Sequence, residues 1–231
     1  MEVNDKLRMI LTGASGMVGE GVLLECLQDP AVEAVLVIGR RHCGITHPKL
    51  QEILHADFLD ISSLADRLGG YHACFFCLGV SSVGMKEPEY YKLTYTLTLH
   101  MAEILSARNP GMIFCYVSGA GTDSSEKGRS MWARVKGKTE NDLRKLPFRA
   151  VYAFRPGVIK ASPGQKNLPG LYKWLGWLIG PVKLLAPGYV CKLREIGLAM
   201  IEVSRNGYAK NVVEISDIKR LAEQRAGRAF S

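Results

Sequence analysis

The chain has 231 residues, 47% of them apolar and 23% charged. A chain of this length buries enough surface to hold a core without disulfide or metal staples, and the proportions exclude disorder, collagen, coiled coil and a disulfide miniprotein. Lys and Arg number 30 against 22 Asp and Glu, a formal charge of +8. The positive residues are scattered rather than blocked. That fits a basic surface or an anionic cofactor, and nucleic acid is not an expected partner.

The opening Met1-Glu2-Val3-Asn4-Asp5 is polar and lacks the apolar centre of a secretory leader. The 6 cysteines are scattered, as in a reducing compartment, so a cytoplasmic protein is expected. Cys74 and Cys77 form a C-x-x-C inside an apolar run. On a strand, positions three apart face opposite sides, so two buried thiols are expected rather than a redox or metal pair. The 5 histidines show no ligand spacing, and no metal is assigned.

In chain order, Leu7–Thr12 is a short apolar run and the first predicted strand. Residues 16–27 have helical spacing, with Val18, Val22, Leu23 and Cys26 or Leu27 on one face, and Asp29-Pro30 stops them. Strands are predicted at 34–38, 50–54, 73–78, 112–117 and 149–154. Helices are predicted at 61–68, 87–107, 129–145 and around 196–203, with a last strand at 212–215. The strands are near-continuous apolar runs, as in a parallel sheet covered on both faces. Alternating strands and helices predict an α/β fold with a doubly wound parallel sheet (a Rossmann fold), forming a single domain over 1–231.

The first strand runs into Thr12-Gly13-Ala14-Ser15-Gly16-Met17-Val18-Gly19, which opens the first helix. One glycine permits the tight turn, one lets a pyrophosphate approach the backbone, and one lets the helix pack on the strand. The helix start then offers free N–H groups and partial positive charge to phosphate. This strand–turn–helix context points to a dinucleotide; a purely structural turn is the alternative. An acidic residue at the end of the second strand would bond the ribose hydroxyl of NAD. That strand ends Ile38-Gly39-Arg40-Arg41 instead. Arginine bonds phosphate bidentately, so NADP(H) is expected in preference to NAD(H), the alternative being two solvated arginines.

Two other motifs are set aside. Gly137-Lys138-Thr139 resembles the tail of a P-loop but has Trp132 where a glycine belongs. Neither Ser15 nor Ser118 sits in the G-x-S-x-G of a hydrolase.

Thr12 to Gly19, Cys77-Leu78-Gly79, Val117-Ser118-Gly119, the helix carrying Lys136, and Phe154-Arg155-Pro156-Gly157-Val158 follow one another in the order seen in short-chain dehydrogenase/reductases. The sequence resembles most closely their atypical branch, which contains Tat-interacting-protein-like sequences and NAD-dependent epimerase/dehydratase homologues. The resemblance covers about 7–221. It implies that Gly13, Ser15, Gly16, Met17 and Gly19 hold the pyrophosphate, that Asp57 and Phe58 border the adenine, and that Leu78 and Gly79 lie along the ribose. It also implies that Pro156 to Val158 meet the nicotinamide amide, that Ser118 bonds a substrate carbonyl, and that Lys136 binds the nicotinamide ribose.

One part departs from the pattern. The tyrosine expected four residues before the lysine is replaced, the slot reading Trp132-Ala133-Arg134-Val135-Lys136, and the helical Asn or Asp of the family falls at Thr94. Indole is a donor only, so Trp132 could orient a carbonyl but not protonate it. Losing a positioned acid costs roughly 10²–10⁴-fold. Ser118 relaying a proton, Lys136 with a lowered pKa, or Tyr91 and Tyr95 entering from the 87–107 helix could compensate.

Residues 168–189 are the most apolar stretch, broken by Pro169, Pro181 and Pro187 and by Lys173 and Lys183. They are too interrupted for a membrane span. Leu171, Trp174, Leu175, Leu178, Ile179 and Val182 repeat at helical spacing. The surrounding 160–192 is read as an apolar lid over the substrate pocket or as a self-association surface, contact with a lipid surface being the further alternative. Either of the first two readings implies an apolar small-molecule substrate. Two functions stay open: an NADP(H)-dependent oxidoreductase, epimerase or dehydratase with altered proton transfer, and a non-catalytic NADPH-binding redox sensor.

Overall fold

The computed structural model describes residues 6–161, 165, 167 and 189–229. Its strands are β1 (Leu7–Thr12), β2 (Val32–Gly39), β3 (Leu50–Leu54), β4 (Ala73–Phe76), β5 (Ile113–Val117), β6 (Ala150–Arg155), β7 (Val158–Lys160), β8 (Val190–Lys192) and β9 (Val212–Glu214). The helices are α1 (Met17–Gln28), α2 (Glu87–Tyr91), α3 (Leu97–Arg108), α4 (Met131–Leu143), α5 (Leu193–Asn206) and α6 (Ile215–Ala229). The main sheet is parallel, in the order β3-β2-β1-β4-β5-β6-β9. This is the expected doubly wound fold. The order reverses between β1 and β4, and in such sheets ligands bind at that reversal, beyond the carboxyl ends of the strands.

The period of two along a strand explains the continuous apolar runs. Met9, Leu11, Phe75 and Cys115 face one core with α1, α5 and α6. Ile10, Cys74, Phe76 and Phe114 face the other, with α3. Cys74 and Cys77 accordingly point to different cores, and all six cysteines are free thiols.

Several boundaries differ from the sequence expectation for local reasons. β2 begins at Val32 rather than 34, because the register with β1 shifts between Leu7 and Arg8. β4 stops at Phe76 rather than 78, since the Leu78 N–H leaves the ladder and donates to the Thr12 hydroxyl at 3.3 Å. The 87–107 helix carries a π turn at Lys92–Thr96 between α2 and α3. The 61–68 helix is a 3₁₀ segment, Ser62–Arg67. Helix α6, which closes the described chain, and the small parallel pair β7–β8 were not anticipated. Three-residue strands are too short to show a period. The apolar stretch 168–189 lies outside the described residues except for Tyr189, which is exposed. Among the described residues no helix is long and apolar enough to cross a membrane.

A buried ion pair ties the first helix to the last. Asp29 ends α1 and its carboxylate accepts the Ala31 N–H at 2.8 Å. The same carboxylate accepts both the Nε (2.8 Å) and a terminal nitrogen of Arg225 from α6. The two side chains are only 2% and 6% exposed. Removing one partner of such a pair strands the other charge out of water. Arg225→Met is expected to lower the unfolding free energy by about 3–5 kcal/mol. The double variant Asp29→Asn/Arg225→Met is expected to lose less. Urea denaturation of the three proteins measures both.

Candidate functional site

The turn between β1 and α1 is built on close backbone approach. Gly13 has φ +75°, and a Cβ there would lie 2.6 Å from the Cys77 carbonyl oxygen at the end of β4. A Cβ on Gly19 would lie 2.1 Å from the Gly13 carbonyl oxygen. The Gly16 N–H donates to that same oxygen at 2.9 Å. Gly16 caps α1 with no side-chain hydrogen bond, so the first-turn N–H groups stay open at the positive end of the helix. A cradle that any Cβ would fill, facing a helix start, fits a dinucleotide pyrophosphate.

The turn opens on a cleft of about 500 Å³. Gly16, Met17, Leu78 and Gly79 line one wall; Ser118, Lys136 and Pro156 line the other. A narrower recess of about 30 Å³ beside it is lined by Gly13, Ser15, Arg40, Arg41, Phe58 and Leu78. The sheet thus gathers most of the residues singled out from the sequence around two adjoining spaces. Arg40 and Arg41 are exposed, and neither guanidinium has a carboxylate partner among the described residues. The nearby Glu52 carboxylate is taken by His42 and by the Cys43 N–H.

Three expected residues stand elsewhere. Asp57 is exposed beside the recess, its carboxylate turned back to the Leu59 N–H at 2.9 Å, and Phe58 alone lines the wall. Val158 is 38% exposed on β7 and the cleft is met by Ile159 instead, because adjacent residues on a strand face opposite ways. The Trp132 ring lies over the backbone of Gly119 and Gly121: a Cβ on Gly121 would sit 3.7 Å from it. Trp132 packs on this loop and is not part of the cleft wall.

Ser118 is buried at the end of β5, where its hydroxyl donates to the Phe154 carbonyl oxygen at 3.1 Å. Its oxygen lone pairs remain for the cleft. The Lys136 ammonium donates to the Ser118 carbonyl oxygen at 2.7 Å and lies 5.9 Å from the centre of the Tyr116 ring. Burial pushes the Lys136 amine down to about 8, with the Glu140 carboxylate pulling partly the other way. Cys77 also lines the cleft; burial raises its thiol to about 12, which keeps it protonated.

Tyr91 and Tyr95 do not enter the site. Their rings pack 4.6 Å apart, and the Tyr95 hydroxyl donates to Asp142 at 2.7 Å. Burial and that carboxylate both hold the Tyr95 proton on. Thr94 is buried within the π turn. Sequence reasoning gave no role in the site to Cys77, Ile159, Glu140 or Arg155, although Cys77 and Arg155 fall within the motifs it quoted. Glu140, one helical turn beyond Lys136, was the readable signal among them.

Residues 9–131 match the NAD dependent epimerase/dehydratase family. Protein fmp52, mitochondrial, of Emericella nidulans is 30% identical over 156 residues, 64% of this chain and 65% of the relative. The matched stretch thus spans just under two thirds of that relative's length. Protein HTATIP2 of Rattus norvegicus is 27% identical over 169 residues, 72% of this chain and 67% of the relative. Among solved structures, a short chain dehydrogenase family protein from Francisella tularensis superposes with a TM-score of 0.65 at 14% identity. It covers 92% of this chain and 98% of its own. These matches bear out the resemblance to the atypical short-chain branch and the fold.

The lowered Lys136 pKa makes stability depend on pH. Between about 8, its folded value, and 10.5, its ordinary one, the unfolded chain holds more protons on this group than the folded one. Stability therefore rises with pH through that window and is independent of this group below it, where both states hold the proton. Thermal unfolding of wild type and Lys136→Met from pH 7 to 10.5 is expected to show a difference that shifts in favour of the wild type as pH rises. A pH-independent difference would contradict the burial of a charged amine here.

Proposed function

Because the chain belongs to the NAD dependent epimerase/dehydratase family, we propose that it binds NADP(H) in preference to NAD(H) and acts as an oxidoreductase on a small apolar carbonyl or alcohol, with altered proton transfer. The observation that carries this reading is the placement of Ser118 and Lys136 across one cleft from the glycine turn. The first-turn amides of α1 would hold the pyrophosphate. Arg40 and Arg41, exposed beside Ser15, would clamp a ribose phosphate. Bound there, the dinucleotide supplies or takes up a hydride.

The chain itself must then move a proton at the substrate oxygen. Trp132 cannot release one. Lys136 can, because an amine near pKa 8 exchanges protons close to neutral pH, where general acid–base catalysis is most effective. Ser118 would accept a hydrogen bond from Lys136 or, on turning from the Phe154 carbonyl, donate one to the substrate. The β7–β8 pair brings both ends of the intervening segment beside Pro156 and Gly157. This supports a single domain; the 160–192 lid reading falls mostly on residues outside those described. The free thiols support a reducing compartment, with the cytoplasm as our assignment, although the fmp52 relative bears mitochondrial in its name.

One observation favours a non-catalytic NADPH sensor instead. Trp132 replaces the acid, and the hydroxyl of Tyr95, a candidate substitute, is held by Asp142.

Calorimetric titration with NADPH and NADH tests the cofactor. NADPH is expected to bind more tightly, and Arg40→Ser/Arg41→Ser to weaken it by at least about tenfold while leaving NADH unchanged, the loss of charge-assisted bonds to one phosphate. Equal affinities would remove the NADP preference. For chemistry, the wild type is expected to reduce apolar aldehydes and ketones with NADPH, and Lys136→Met, which removes the proton-handling amine of the cleft, is expected to lower that rate by about 10²-fold or more. If cofactor binding stays intact and no rate appears, the sensor reading stands.

A further inference from the structure

Glu140 lies on α4 one helical turn beyond Lys136, so the two side chains share a face. Its side chain is fully buried. A buried carboxylate needs a partner, and an amine on a flexible stem one turn away is an obvious recruit. Yet the Lys136 amine points the other way, to the Ser118 carbonyl oxygen at 2.7 Å. The carboxylate is occupied by Arg155 at the end of β6, whose Nε meets one oxygen at 3.0 Å and a terminal nitrogen the other at 2.6 Å. That terminal nitrogen also donates to the Ser124 hydroxyl at 2.6 Å. The opposite terminal nitrogen lies 3.6 Å from Glu214 on β9. Arg144 touches Glu140 only at 3.4 Å and is partly exposed.

We propose that Arg155 is a positioning residue for Lys136: by holding the buried Glu140 carboxylate in a bidentate pair, it leaves the lysine amine free to face the cleft. The fork geometry matters, because two parallel bonds occupy both carboxylate oxygens. Without it, the Glu140 charge would be stranded with a weak contact to Arg144, and the Lys136 ammonium would be drawn to it and held protonated. The other groups facing Lys136 are Tyr116 from β5 and the Cys77 thiol across the cleft, both kept neutral by burial. Arg155 itself is next to Pro156, which lines the cleft, so the clamp sits directly behind the wall it organises. This inference rests on the reading of Lys136 as the proton-handling amine of the site.

The test is the protonation profile of Lys136 in the full, cofactor-free chain, followed as pH-dependent acetylation by acetic anhydride with peptide mass spectrometry. In the wild type the lysine is expected to become reactive around pH 8. Arg155→Met is expected to move that midpoint up by about one pH unit or more. Arg155→Met/Glu140→Gln, which removes the stranded charge, is expected to return it to the wild-type value or below. A merely structural cross-link between β6 and α4 would lower the melting temperature in both variants without moving the profile up and back. Should Arg155→Met fail to fold, Arg155→Lys, a single-point partner, is expected to give a smaller shift in the same direction, again reversed by Glu140→Gln. An unchanged profile in the folded Arg155 variant, or a raised one that persists in the double variant, overturns the proposal. NADPH titration of the wild type is a separate measurement. Its failure would sink the cofactor reading while leaving the lysine profile to decide the clamp.

Discussion

The backbone contact between the Gly13 turn and the end of β4 is the constraint on which the cleft depends. Gly13 can approach the Cys77 carbonyl oxygen only because it has no Cβ, and α1 can close on Gly13 only because Gly19 has none. These contacts set the height at which the helix starts and thus where its open amides point. They also end β4 early, since the Leu78 N–H is captured by the Thr12 hydroxyl. The strand-order reversal between β1 and β4 opens a space there, and the glycines decide that backbone lines it.

The opposite wall depends on charge rather than on backbone shape. Lys136 is held over Tyr116 and against the Ser118 carbonyl, in surroundings that disfavour its ammonium form. Its neighbour Glu140 would restore that form if it were free to pair. Arg155 takes up the carboxylate and, through Ser124 and Glu214, anchors it to the loop before α4 and to β9. The same side chain therefore links packing to proton chemistry. A change that loosens the β6–α4 junction reaches the cleft through one ion pair.

The motif residues with distinctive backbone demands were readable in the sequence. The spacing of Gly13, Gly16 and Gly19 after an apolar run implied the turn, and the apolar strands implied a sheet covered on both faces. Arg40 and Arg41 followed from their place at the end of β2. The residues that were misplaced are ones whose role depends on which way a side chain turns. Val158 and Ile159 exchange roles because β7 sets their faces. Asp57 turns its carboxylate to its own loop. Tyr95 was a plausible proton donor by helical spacing, but Asp142, 47 residues away, claims its hydroxyl.

The sequence by itself determined the doubly wound fold, the glycine cradle and the absence of a titratable side chain at Trp132, because each follows from local residue type and short-range period. Only the tertiary structure decided which amines, carboxylates and hydroxyls meet. The pairing of Asp29 with Arg225 spans 196 residues. Arg155 reaches Glu140 across the gap between a strand and a helix. Such contacts depend on how separate elements pack, and burial there sets both their strength and the protonation of Lys136. No spacing along the chain carries that information.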